Sequence, residues 1–199
     1  VVFVVDGSPD HCFSIINDRL PEFSFPAQLI LHSRNFGAFT AVRTGMQNAR
    51  GEFVAAMAAD LQEPPELIEQ FFKILNNDEA DLVFGQRESR NDPPLRTLLA
   101  NMYWKLYRKF VISEIPKGGV DVFACNKNVL DVVLAIHEPN SSLISQLFWV
   151  GFRRKFVSYQ RQERQIGTSA WGIGKRLRYM LDSIFSYSDL PILVVLWIG

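Results

Sequence analysis

Residues 53–67 read "FVAAMAADLQEPPEL", and the fold turns on how this stretch is parsed. The run 53–60 is apolar up to Asp60, as in a strand buried on both faces. Pro64 and Pro65 suit the first turn of a helix, where a missing N–H costs little. Leu67, Ile68, Phe71, Phe72 and Leu75 then recur at helical spacing and form one apolar face. A buried strand running directly into a helix is a building block of α/β layers. Asp60 stands at the strand's carboxyl end, where such sheets bind ligands. Ala58 and Ala59 stand where a second carboxylate would strengthen a metal site.

The same parse works on either side. "VVFVVDGSPD" (1–10) is an apolar strand closed by Asp6, Gly7, Ser8 and Pro9. "AQLILHS" (27–33) is a second strand. After "RNFG", Phe39, Val42, Met46 and Ala49 mark a helix that Gly51 can end. "DLVFG" (81–85) is a fourth strand. Strands alternating with helices predict an α/β domain with a mostly parallel sheet flanked by helices. Asp6, Asp60 and the Gly85-Gln86-Arg87 step all fall at strand ends.

The second half changes character. Leu95, Leu98, Leu99, Met102 and Leu106 predict a long helix after the loop "RNDPP" (90–94). "IPKGGVDVFACNK" (115–127) sets a double glycine before a short strand carrying Asp121, and a helix follows from about Asn128. "SLISQLFWVGF" holds another helix, and "RKFVSYQRQ" reads as a strand. Residues 163–175, "ERQIGTSAWGIGK", have the composition of a mobile loop. Leu177, Met180, Leu181, Ile184 and Phe185 close the series with an amphipathic C-terminal helix.

Composition bounds the function. A chain of 199 residues, 48% hydrophobic, has enough apolar surface for a sizeable core. A formal net charge of zero gives no push toward nucleic acid. Basic residues cluster at Arg153, Arg154, Lys155, Arg161, Arg164, Lys175, Arg176 and Arg178, which reads equally as an anion-facing surface or a solvated one. Cys12 and Cys125 stand far apart and outside any metal-ligand spacing. They suit a reducing compartment and speak against structural zinc. His11, His32 and His137 share no ligand spacing and read as structural or surface residues. Both ends read as cuts, because the chain opens inside an apolar run and stops in "LPILVVLWIG". A membrane segment is expected to follow Gly199.

The pieces "VVDGSPD", "HSRNFGAFTAVRTGMQNARGEF", "AADLQEPPEL", "DLVFGQR", "GGVDVFACNK" and "SYSDLP" stand in the order and spacing of a known family. The chain resembles family 2 glycosyltransferases of the GT-A fold, and among them the polyprenol-phosphate sugar transferases of the dolichyl-phosphate mannose synthase type. The resemblance covers nearly the whole chain, without the family's first strand. It implies a GT-A catalytic domain over residues 1–161. Residues 162–199 would be a mobile loop and an amphipathic juxtamembrane helix, cut before transmembrane helices.

The resemblance also implies roles. Asp6, Arg34, Asn35, Gly37 and Asp60 would contact the nucleotide. Val5 replaces the first of the paired acids usual before Gly-Ser. Asp60 and Gln62 would hold Mg2+ or Mn2+. Ala58 takes the place of the first carboxylate of an Asp-x-Asp motif, so the metal would be weakly held until diphosphate arrives. Glu63 reads as an acid favoured at a helix N-terminus, with a contribution to the metal as the alternative. Asp121 would be the catalytic base. Arg87, Arg96, Ser169 and Lys175 would meet phosphates of donor or acceptor.

The implied reaction is an inverting transfer of a hexose from a nucleotide-diphosphate sugar to a polyprenyl or dolichyl phosphate. Its place would be the cytoplasmic face of a membrane, in a bacterium the inner one. The alternatives are a sugar acceptor on a surface polysaccharide, or a nucleotide-sugar-binding module without turnover. The partners implied are the nucleotide sugar, the lipid or glycan acceptor and a membrane surface, with no nucleic acid. A homo-oligomer is left open.

Overall fold

The structure is a computed structural model. It describes residues 1–87, 105, 107–109, 112–116, 119–138, 142–162, 173–188, 192 and 195–197. At Asp121, Ile173 and 175–180 only the backbone is described. The chain divides into two compact units, Val1–Val54 and Ala55–Gly199.

In the first unit, β1 (Val2–Val5) pairs in parallel with β2 (Gln28–Leu31), Val2 facing Gln28 and Val5 facing Leu31. The connection carries α1 (Cys12–Arg19) and a short 3-10 turn, Leu20–Glu22. Sequence periodicity does not announce α1, because none of its residues is buried and its apolar side chains form no stripe. After β2 the chain enters α2 (Ala38–Asn48), which packs on β1 and buries Met46. The expected helix end at Gly51 moves back to Asn48, where Ala49 turns extended.

The second unit is built on a four-stranded sheet in the order β3-β5-β4-β6. Its strands are β3 (Phe53–Ala56), which straddles the boundary, β4 (Leu82–Arg87), β5 (Val120–Asn126) and β6 (Arg154–Tyr159). β4 runs parallel to β6 and antiparallel to β5, so the sheet is mixed. β3 stops at Ala56, four residues short of the strand end expected at Asp60. Met57, Ala58 and Ala59 are exposed, so this end of the apolar run no longer lies in a layer.

Helix α3 (Glu66–Asn76) starts directly after the two prolines and packs on β4 and β5. It buries Leu67, Phe71 and Leu75, each contributing about 1.5–3 kcal/mol. α4 (Lys127–Ala135) begins where Asn126 accepts a hydrogen bond from the Val129 N–H at 3.1 Å, a side-chain cap. α5 (Leu143–Trp149) is capped likewise by Ser142. α6 (Ile173–Tyr187) is the C-terminal amphipathic helix. In the core, Phe84 stacks on Phe148 at 4.6 Å and on Phe156 at 5.8 Å. Burial pushes the Cys125 thiol up to about 12, so it packs as a small hydrophobe.

A bulge shapes the centre of this sheet. Phe84 faces Phe123 and Gln86 faces Val120, so Asp121 and Val122 together oppose Gly85. A Cβ on Gly85 would lie 2.4 Å from Val122 Cγ1 and 3.0 Å from the Tyr159 ring. Glycine is therefore required by close approach.

The basic cluster is largely neutralised at its start. Arg153 bonds Asp81 at 3.0 Å and Asp78 at 2.5 Å, Lys155 pairs with Glu79, and Arg154 pairs with Glu114. These three cations belong to the fold and are not an open anion-binding surface. The helix predicted from Leu95 and the loop 163–172 lie outside the described residues, apart from helical Lys105 and 107–109.

Candidate functional site

In the first unit the site is a carboxylate wrapped by a loop. Asp6 follows β1, and its Oδ1 accepts hydrogen bonds from His32 Nδ1 at 2.8 Å and the Phe36 N–H at 2.9 Å. Its Oδ2 accepts the Gly37 N–H at 2.7 Å. His32 Nε2 bonds Thr44 Oγ1 at 2.9 Å, which ties the ring to α2. Burial pushes the Asp6 pKa up, but the His32 bond and the two backbone N–H bonds outweigh it. The carboxyl therefore sits below its ordinary range.

The loop needs two glycines. Gly37 has φ +102° and ψ 155°, a region open essentially to glycine alone, and this turns its N–H toward Asp6. A Cβ on Gly7 would lie 2.3 Å from the Arg34 carbonyl carbon and 2.4 Å from the Asn35 nitrogen. Gly7 thus lets the 34–37 loop lie against the end of β1. Arg34 sets its guanidinium 4.1 Å over the Phe36 ring. Asp6, Arg34, Asn35 and Gly37 are therefore brought together, with His32 as a fifth member that sequence spacing could not reveal.

In the second unit the site is the turn after β3. Asp60 Oδ1 accepts the Gln62 N–H at 3.2 Å, a side-chain-closed turn around Leu61. Leu61 has φ +59°, left-handed backbone in a bulky residue. Such strain persists only where neighbours enforce it, and it gathers at functional sites. Gln62 and Gln162 exchange two bonds. The Gln162 N–H donates to the Gln62 carbonyl at 2.9 Å, and Gln62 Nε2 donates to the Gln162 carbonyl at 3.2 Å.

Arg161 joins this turn from beyond β6. Its Nη2 donates to Gln62 Oε1 at 2.7 Å and lies 3.9 Å from Asp60 Oδ2. Its Nε lies 3.5 Å from Glu63 Oε1. Glu63 is 4% exposed and lies three residues before α3, so it is a buried partner of arginine and not a helix-terminal acid. The sequence marks Arg161 only as one of a run of cations.

The remaining candidates divide as follows. Asp121 lies in β5 at the bulge opposite Gly85, and its side chain is outside the described residues. Gly119, with φ +71°, turns the chain into that strand. Arg87 closes β4 opposite Tyr159. Lys175 lies on the backbone of α6, while Arg96 and Ser169 lie outside the described residues.

Asp60 and Gln62 offer hard oxygens of the kind Mg2+ and Mn2+ take. Among the described residues no group of three or more His, Cys, Asp or Glu gathers as a metal site. The donor chemistry fits a cation that draws its other ligands from diphosphate and water.

These features define a class. Staphylococcus aureus TarS 1–349 shares the fold with a TM-score of 0.52 at 16% identity, over 81% of this chain and 49% of that one. The same TM-score is found for its complex with UDP. The fold is that of the GT-A glycosyltransferases. Residues 1–133 match the family described as "Glycosyl transferase family 2", and the chain belongs to that family.

Curated relatives match over the full chain. A Bacillus subtilis (strain 168) protein named as the glycosyltransferase CsbB is 32% identical over 100% of this chain and 60% of its own length. The bactoprenol glucosyl transferase of Shigella phage SfV is 31% identical over 100% of this chain and 64% of its own. The chain thus spans less than two thirds of the length of these relatives.

Proposed function

We propose that this chain is the catalytic portion of an inverting transferase that moves a hexose from a nucleotide-diphosphate sugar to a polyprenyl phosphate. The observation that carries this reading is the match along the whole chain to bactoprenol glucosyl transferases. Asp6 and the 34–37 loop receive the nucleotide. Asp60 and Gln62 would hold Mg2+ or Mn2+, which supplies positive charge against the departing diphosphate when bound. Asp121 is the base that takes the proton of a monoprotonated acceptor phosphate as its oxygen attacks the anomeric carbon. Attack from the face opposite the leaving group inverts that carbon. Arg87, Arg96, Ser169 and Lys175 serve donor or acceptor phosphates.

The acceptor lipid sets the location at a membrane surface, on the cytoplasmic face. Leu181, Phe185, Ile192, Val195, Leu196 and Trp197 are exposed apolar side chains near the C-terminus, and Trp197 is 89% exposed. They suit contact with lipid. Among the described residues no helix is long and apolar enough to cross a membrane.

The test is transfer of labelled hexose from a panel of nucleotide sugars into the organic phase with polyprenyl phosphate vesicles. Label that moves only onto soluble glycans would replace the acceptor and leave the chemistry. A second reading, binding without turnover, draws on Ala58 and on the bond that already occupies Gln62 Oε1. Nucleotide binding with no donor consumption on any acceptor would select it.

A further inference from the structure

Gln62 is oriented on both ends. Its Nε2 donates to the Gln162 carbonyl at 3.2 Å while its Oε1 accepts from Arg161 Nη2 at 2.7 Å. A flipped amide would set its NH2 against the guanidinium and its oxygen against a carbonyl, so the assignment is unambiguous. The oxygen that a divalent cation would use is thus bonded to a cationic nitrogen. That same nitrogen lies 3.9 Å from Asp60 Oδ2, the carboxylate oxygen outside the Asp60–Gln62 turn. Arg161 Nη2 therefore lies near both oxygens that would hold a metal, 2.7 Å from one and 3.9 Å from the other. Glu63, with a 3% exposed side chain, forms an ion pair with Arg161 Nε at 3.5 Å.

We propose that Arg161 is a built-in counter-cation for the Asp60–Gln62 oxygens, so that divalent metal binding requires its guanidinium to be displaced and becomes conditional on nucleoside diphosphate. This rests on the reading that the donor diphosphate and a cation gather at Asp60. Two cations cannot share these oxygens at close range without repulsion, and one of them is tethered to the chain. A diphosphate removes the conflict, because its anionic oxygens pair with metal and guanidinium together. Ala58 fits the same scheme. With Asp60 as the carboxylate facing the cation and Glu63 already paired with Arg161 Nε, the site carries too little negative charge for metal and arginine at once. Arg161 is in these terms a positioning residue whose release accompanies donor binding.

The test measures Mn2+ binding by electron paramagnetic resonance, without and with UDP as the probe diphosphate. The proteins are the wild type, Arg161→Ala, Arg161→Lys and Asp60→Ala. Without UDP, Arg161→Ala should bind Mn2+ roughly tenfold or more tightly than the wild type, because a cation at about 4 Å has been removed. Arg161→Lys should stay near the wild type, since it keeps the charge. With UDP the gap should narrow. Equal or weaker Mn2+ binding by a folded Arg161→Ala, with binding still lost in Asp60→Ala, overturns the role of Arg161 and leaves the site at Asp60 standing. No Asp60-dependent binding in any protein, with or without UDP, overturns both. If Arg161→Ala fails to fold, the wild type decides. Its guanidinium NMR signal, assigned as the one absent from Arg161→Lys, should move when Mg2+ and UDP are added together. A signal that does not move overturns the proposal.

Discussion

Asp6 and His32 are joined by a 2.8 Å hydrogen bond across 26 residues of sequence. The carboxylate also collects the N–H groups of Phe36 and Gly37, so it organises the loop. Asp6→Ala leaves three donors without this acceptor. We expect a loss of about 2 kcal/mol of stability, at the low end for buried unsatisfied donors (~1–3 kcal/mol each), because water reaches the Phe36 N–H and partly reaches the other two. Nucleoside diphosphate affinity should fall as well. Urea denaturation beside calorimetry checks both, and an unchanged midpoint with unchanged affinity would remove Asp6 from either role.

Asp81 gives a pH dependence with a definite sign. The Arg153 hydrogen bond holds its carboxyl below the ordinary value, and burial opposes this less strongly. The folded state binds that proton more weakly than the unfolded chain, so the stabilisation is complete above the unfolded value of about 3.9. It is lost as pH falls through the folded value. Replacing Arg153 with Met should flatten the acid side of a plot of Tm against pH. An identical acid slope in wild type and variant would show that the pair contributes nothing.

Gly85→Ala places a methyl group 2.4 Å from Val122 Cγ1. The expected cost is about 1–3 kcal/mol, the range for overpacking a close-packed interior. Adding Val122→Ala should recover part of it, because the two side chains compete for one space. Thermal denaturation of the two single variants and the double variant gives the coupling. Strict additivity would mean that the clash is relieved elsewhere.

Much of the fold was readable because the chain punctuates itself. Pro64 and Pro65 mark the start of α3, Asn126 caps α4, and apolar runs mark the buried strands. The length of β3 was not readable, since "MAAD" stays apolar while the backbone leaves the sheet. Strand direction was also hidden. Nothing local in "VDVFACN" says that β5 runs antiparallel to β4 while β6 runs parallel. Candidate site positions were legible where a motif lies within one short segment, as at Asp6 and Asp60. The Arg161–Gln62 bond joins residues 99 positions apart, and such a contact exists only once the sheet has formed.

Base-assisted displacement, as proposed for this chain, needs the Asp121 carboxylate. Asp121→Asn tests it most directly, with nucleotide-sugar binding and hexose transfer to polyprenyl phosphate measured on the same preparation. Binding should stay close to wild type and transfer should fall by roughly 10²-fold or more, the scale of a lost general base. Transfer at the wild-type rate by Asp121→Asn would contradict it.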